Sequence, residues 1–157
     1  MGKQTRAAIY KTLKGIGRLN YVEVRNVPMN VDPELGNLID AKVIEQVERL
    51  VAKALIEKNL PIRGQEVEYF RGIFALSQRD FAKKLGLSHV AIFKWEKAKN
   101  KPLDLVNEIA VKVFISGELD LRIHASLETL ACHTDPLKKL IIDYSESSAR
   151  ASKKAAA

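Results

Sequence analysis

Residues 77–101, SQRDFAKKLGLSHVAIFKWEKAKNK, constrain the backbone more tightly than any other part of this 157-residue chain. Ser77 is placed to cap a helix, and Asp80 three residues later completes a capping box. Phe81 and Leu85 fall on one face of that helix and point to a core. Ala82 sits where two helices must cross, and only a small side chain allows the approach. Gly86 follows, where a left-handed backbone is costly for any residue with a Cβ. Leu87 then turns back to the core and Ser88 caps a second helix, on which Ile92 and Trp95, three apart, share the inward face. The spacing predicts two short helices joined by a tight turn.

With Ile92 and Trp95 inside, the outer face of the second helix is Ser88, His89, Val90, Phe93 and Lys94. A helix pair that turns such a face outward has the pattern of a helix-turn-helix unit, whose second helix enters the major groove of DNA. Lys94 suits guanine O6 and N7, and His89 can donate or accept at a base edge. Val90 and Phe93 are apolar on a face that should be wet. Thymine methyl groups would explain them, and for Phe93 folding back onto the domain or onto a partner is an equal alternative. Gln78, in the first turn of the preceding helix, is placed to bond a phosphate. Lys97, Lys99 and Lys101 follow the reading helix and should meet backbone phosphates, the plain alternative being a solvated charge run. Glu96 is read as structural, paired with a nearby base.

Charge supports this placement. The chain carries a net +7, and residues 77–101 hold Arg79, Lys83, Lys84, Lys94, Lys97, Lys99 and Lys101 against only Asp80 and Glu96. A polyanionic partner is implied.

Upstream, residues 1–20 contain Lys3, Arg6, Lys11, Lys14 and Arg18 and no acid. Ile9, Leu13 and Ile16 recur at helical spacing, predicting a short basic amphipathic helix, either lying along phosphates or solvated. Between Tyr21 and Val31, Val22 and Val24 share one face and Val27, Met29 and Val31 another. That predicts one bulged strand or two short ones, with Pro28 marking an edge. From Asp40 to Glu57, Val43, Ile44, Val47, Leu50, Val51, Ala54 and Leu55 form one helical stripe, capped by Asp40 and ended by Asn59 and Pro61. A helix from about Gln65 to Ala75 turns Val67, Phe70, Ile73 and Phe74 inward.

Downstream, a helix from about Leu103 to Ser116 buries Val106, Ile109, Ala110, Val113 and Phe114 and stops at Gly117. Leu119, Leu121 and Ile123 fit a short strand or a helix. Asp135 and Pro136 signal a further helix presenting Leu137, Leu140, Ile141 and Tyr144. The tail SSARASKKAAA has nothing to bury and is expected to be disordered.

Composition excludes several classes. Cys132 is the only cysteine, so an internal disulfide and a cysteine-rich zinc site are excluded, in keeping with a reducing cytoplasm. No run of about 20 apolar residues could span a bilayer, and the N-terminus lacks the apolar core of a secretory signal. A cytoplasmic protein without a membrane partner is expected. His124, Cys132 and His133 lack a second ligand pair and any activated-nucleophile arrangement, so the chain is expected not to be an enzyme and to hold no metal or cofactor.

The run LSQRDFAKKLGLSHVAIFKWEKAKNKP resembles the Cro/C1-type (XRE) helix-turn-helix family, with the likeness covering roughly residues 62–116. The resemblance implies a dimeric transcriptional repressor on an operator with paired half-sites. It implies base contacts from Ser88, His89, Val90 and Lys94 and a phosphate contact from Gln78. The longer run VIEQVERLVAKALIEKNLPIRGQEVEYFRGIFALSQRDFAKKLG is similar to the linker and DNA-binding part of MqsA-like antitoxins, whose small zinc-binding domain contacts the toxin or another ligand. This chain departs from that pattern in lacking the paired cysteines.

The expected fold is therefore mainly α: a five-helix XRE-type helix-turn-helix domain with a small N-terminal α/β extension and a C-terminal helical extension. Its parts are a basic arm (1–20), an extension with short strands and a long amphipathic helix (21–61), the DNA-binding domain (62–116), a C-terminal extension available for dimerisation (117–146) and a tail (147–157). The expected function is a sequence-specific, double-stranded DNA-binding transcriptional regulator, a homodimeric autoregulatory repressor reading the major groove with the helix at 88–98. The alternative is the antitoxin of a type II toxin–antitoxin pair, binding a toxin protein and repressing its own operon.

Overall fold

A 14-residue strand, β2 (Leu19–Asp32), forms the spine of a four-stranded mixed sheet in the computed structural model, which describes residues 9–122 and 139–146. Strand β1 (Ile9–Ile16) pairs with it antiparallel, with Ile9 opposite Met29 and Ile16 opposite Leu19. Strand β3 (Gly36–Leu38) pairs antiparallel with the far end of β2. Five helices follow: α1 (Ala41–Glu57), α2 (Gly64–Ile73), α3 (Gln78–Leu85), α4 (His89–Lys97) and α5 (Leu105–Glu118). The chain then returns as β4 (Leu140–Asp143), parallel to β2, with Val22 opposite Leu140 and Val24 opposite Ile142. The molecule is an α/β fold with N-terminal strands, which overturns the expected mainly α, five-helix domain with a small extension at each end. The sheet also joins residues from three of the expected segments.

The physical reason lies in the bulges of β1 and β2. Ile9 and Leu13 keep the even spacing of a strand, and a register shift between Lys14 and Ile16, with Gly15 at φ 72°, carries Ile16 out of phase. The resulting spacing of four and then three mimics a helix, so the predicted basic helix over this segment is a strand. Asn26, at φ 58°, breaks the alternation of β2 in the same way, and its amide donates to Asp143 Oδ2 at 2.7 Å. Pro28 is opposite Tyr10 and falls between the stretches of β2 that pair with β4 and with β3. The strand is central, yet at Pro28 it is paired on one side only, which is where a residue without an N–H is tolerated. Gly17 and Arg18, both at positive φ, close the β1–β2 hairpin as a two-residue turn.

Helix α1 lies between the sheet and helices α2 and α5, burying Val47, Val51, Ala52, Leu55 and Ile56. Its inward face is rotated from the predicted stripe: Ile44 is exposed and Ile56 is buried. Asp40 caps it through Lys42 N at 2.8 Å. One continuous core runs from Val22, Val24 and Leu140 through α1 to Val67, Phe70, Phe81, Ile92, Val111 and Ile115. Each such side chain contributes about 1.5–3 kcal/mol by leaving water.

The predicted C-terminal helix fails in its described part, because residues 140–143 form β4, with Leu140 and Ile142 inward and Ile141 outward. Asp135, Pro136 and Leu137 lie outside the described residues, as do Lys3, Arg6, Ile123, His124, Cys132, His133 and the tail. Leu119–Leu121 forms neither a strand nor a helix. Leu119 caps α5, Asp120 turns at φ 51°, and Leu121 N donates to Ser116 O at 2.9 Å.

The sheet is tied to the helices through Glu66, which is fully buried. Tyr21 Oη donates to Glu66 Oε1 at 2.7 Å, Arg63 N donates to Glu66 Oε2 at 2.8 Å, and the Arg63 guanidinium lies over the Tyr21 ring. Burial, then the charge of Glu66, raises the Tyr21 pKa far above its ordinary value, so its hydroxyl stays a donor. Helix α2 begins at Gly64, where an added Cβ would stand 1.8 Å from Trp95 O. Gly64→Ala should lower stability in urea unfolding by about 1–3 kcal/mol, as overpacking does. Gly72→Ala, in the same helix with open space around it, should instead raise stability by up to about 1 kcal/mol.

Candidate nucleic-acid interface

The turn between α3 and α4 follows from its sequence. Ser77 Oγ accepts from Asp80 N at 3.1 Å and donates to Asp80 Oδ2 at 2.6 Å, so the Asp80 carboxylate closes on the hydroxyl rather than on the Ser77 backbone. Gly86 ends α3 in the left-handed conformation at φ 69°, and Leu87 N returns to Ala82 O at 2.9 Å. Ser88 Oγ caps α4 by accepting from Ala91 N at 3.3 Å. Phe81, Ala82 and Ile92 are buried between the helices, Trp95 is half-buried, and Phe81 packs edge-on to Phe114 at 5.6 Å.

The three helices α2, α3 and α4 are locked by one carboxylate. Glu96 is 9% exposed. Arg71 from α2 donates to it through Nε at 2.7 Å to Oε1 and through Nη2 at 3.2 Å to Oε2. The third guanidinium nitrogen reaches Leu76 O at 3.0 Å, which fixes the link between α2 and α3. Gln78 Nε2, at the start of α3, donates to Glu96 Oε2 at 2.7 Å. The hydrogen bond to Glu96 raises the Arg71 pKa against the desolvation that opposes it, so the guanidinium stays charged.

These bonds leave the opposite face of α4 to solvent. Ser88, His89, Val90, Phe93, Lys94 and Lys97 are all exposed, Val90 at 45% and Phe93 at 51%. Phe93 does not fold back onto its own domain, so that alternative is removed. Lys99 and Lys101 are also exposed, on a loop held by backbone bonds from Gln65 N to Lys99 O at 3.0 Å and from Lys101 N to Ala98 O at 2.7 Å. Gln78 is half-buried and differs from the simple expectation. One of its two amide N–H bonds is committed to Glu96, which orients the side chain and leaves the second for an outside acceptor.

The nine candidate residues thus fall into one half-buried, oriented amide and eight exposed side chains on one helix, at its cap or just after it. Sequence reading identified Glu96 as structural but missed Arg71, its partner 25 positions upstream. Arginine in an amphipathic helix carries no local sign of a buried partner. It also missed Glu66 and Gly64, whose roles arise where α2 meets the sheet and α4. Comparison of the chain with family models, with curated proteins and with solved structures returns no match.

Replacing Glu96 by Gln should cost about 2–3 kcal/mol of stability in chemical denaturation, because it leaves the largely buried Arg71 charge without its anion. Lys97→Ala, at an exposed site on the same helix, should change stability by less than about 0.5 kcal/mol.

Proposed function

We propose that this chain binds double-stranded DNA sequence-specifically, laying α4 in the major groove, and acts as a homodimeric, autoregulatory transcriptional repressor in the cytoplasm. The observation that carries this reading is the division of α4. Ile92 and Glu96 are buried and held, while Ser88, His89, Val90, Phe93 and Lys94 stand exposed together on a rigid helix. A reading helix must be fixed in position and bare on one side. In this reading Lys94 and His89 bond base edges, and Val90 and Phe93 touch thymine methyl groups. Gln78, Lys97, Lys99 and Lys101 hold phosphates, which gives affinity without sequence information. Ser88, which caps the start of α4, makes its base contact from that end of the helix in this reading. The resemblance of residues 77–101 to Cro/C1-type helix pairs supports the reading, and repression is steric, since an occupied operator excludes polymerase. The role is binding rather than catalysis.

A second reading, an antitoxin that also holds a toxin protein, is favoured by exposed apolar residues around the β2–β3 hairpin and the start of α1: Val31, Leu35, Leu38 and Ile44. Loss of toxin binding on Leu35→Asp, with DNA binding intact, would support it, and a gene without a neighbouring toxin-like reading frame would count against it.

Gel shifts on the DNA upstream of the gene test the primary reading. Lys94→Ala should relax preference at one base pair, costing about 1–3 kcal/mol there, whereas Lys99→Ala should weaken all sequences alike and lower the salt slope by about 1. Replacing operator thymines by uracil should weaken the wild type and leave a Val90→Ala, Phe93→Ala variant unaffected. Equal wild-type binding to operator and scrambled DNA overturns the specific-reader proposal.

A further inference from the structure

One glycine of α2 has no packing reason to be a glycine. Gly64 and Gly17 are demanded by contact: an added Cβ would stand 1.8 Å from Trp95 O at the first and 2.4 Å from Tyr69 Cδ2 at the second. Gly72, in the last turn of α2, would meet nothing within 4 Å. A glycine inside a helix costs up to about 1 kcal/mol relative to alanine. What the missing side chain leaves bare is one wall of a cleft of about 260 Å³ between the β1–β2 turn, α1 and the end of α2. Ile73 and Tyr69 also line it, and Tyr69 Oη ties α2 to α1 there by donating to Glu48 O at 2.7 Å.

The charges of the cleft do not balance within the described residues. Four ionisable side chains besides Tyr69 line it: Arg18, Arg71, Glu48 and Glu68. Arg71 is committed to Glu96, with Nε and Nη2 both bonded to that carboxylate. Arg18 pairs with Glu68 at 3.0 Å from the solvent side, its own side chain 79% exposed. That leaves Glu48. It is half-buried, and among the described residues no cation forms an ion pair with it. Burial, and after it the charge of Glu48, raises the Tyr69 pKa far above its ordinary value, so the phenol stays a donor with the carboxylate close by. A carboxylate partly out of water beside apolar wall, without a counter-charge, is one cation short.

We propose that this cleft binds a small organic ammonium ion: a primary amine, protonated at neutral pH, on a compact apolar body. The ammonium group donates to Glu48 and supplies the missing positive charge, while the body lies on Ile73 and on the bare backbone of Gly72. The cleft is smaller than the roughly 300 Å³ at which pockets for drug-sized ligands begin, so the body is a single ring or a short chain. A calcium-like cation fits worse, because it needs about six to eight oxygen ligands and the wall around Glu48 is apolar. A neutral ligand leaves Glu48 without a counter-charge, and an anion meets it as a like charge. Arg71 is at once a wall of the cleft and the clamp on Glu96, so the occupant rests against the side chain that positions α4.

Titration of the full chain with benzylammonium chloride at neutral pH, followed by amide NMR, tests the proposal. Benzyl alcohol and benzoate serve as neutral and anionic matches of the same body. Benzylammonium should shift the amide signals of Gly17, Gly72 and Ile73 along a saturable curve, and both matches should leave them unmoved at the same concentrations. Glu48→Gln should raise the dissociation constant at least about tenfold, the scale of a lost hydrogen bond to a charged group. Gly72→Leu, which fills the cleft from an exposed helical position, should abolish the shifts while circular dichroism keeps its helical signal. Arg18→Asn, which suits the positive φ of 68° there and removes the cation competing for Glu68, should tighten binding. A wild type without saturable shifts, or one that binds benzyl alcohol equally well, overturns the site. Wild-type affinity in either Glu48→Gln or Gly72→Leu overturns its location, and weaker binding by Arg18→Asn overturns the charge argument. None of these readouts involves DNA, so the cleft and the DNA reading stand or fall separately.

Discussion

Glu96 is a carboxylate buried beneath a basic surface, and the geometry of that surface depends on it. It accepts from Arg71 and from Gln78, so residues from α2, α3 and α4 converge on two oxygen atoms. Removing a charge from water costs several kcal/mol, and the cost is recovered only where an opposite charge in good geometry and further donors meet it. Arg71 and Gln78 bring three donors to the two oxygens, an opposite charge among them, and Arg71 additionally holds the Leu76 carbonyl in the link between helices. The outcome is a helix pair whose relative position is set by directional bonds as well as by the contacts of Phe81, Ala82 and Ile92.

The same device recurs twice. Glu66 anchors the N-terminus of α2 to Arg63 and to Tyr21 of the sheet, and Glu108 pairs with Lys112 against Asn59 where α5 meets α1. At each of the three joints a buried carboxylate meets its partners within hydrogen-bonding distance. Apolar packing fills the volume between elements, and these acids fix how the elements are oriented. The arrangement leaves two outward faces: the polar and aromatic face of α4, and the apolar face of α5.

Much of the helix pair could be read directly from the chain. Capping by Ser77 and Ser88, the left-handed Gly86, and the inward Phe81, Ile92 and Trp95 are all local, decided within one or two turns. The exposed set on α4 follows once Ile92 is placed inside. The sheet was far less legible. Bulges at Gly15 and Asn26 shift the two-residue period, so β1 imitates a helix and β2 hides its length. Strand β4 pairs with residues more than a hundred positions earlier, and nothing near Leu140 announces that partner. On α5 hydrophobicity misled, because Glu108 and Lys112 satisfy each other inside and leave Val106 and Val113 outside.

The sequence by itself determined where the two helices of residues 77–101 start and stop, which of their residues turn inward, and how positive charge gathers after Trp95. Those properties depend on backbone preferences and on neighbours within about four positions. Only the tertiary structure decided that Arg71 belongs to Glu96, that Tyr21 belongs to Glu66, that residues 140–143 pair with β2, and which face of α5 meets the core. Each of these is a pairing between distant segments. The free energy of such a pair depends on burial and mutual satisfaction that neither partner carries alone.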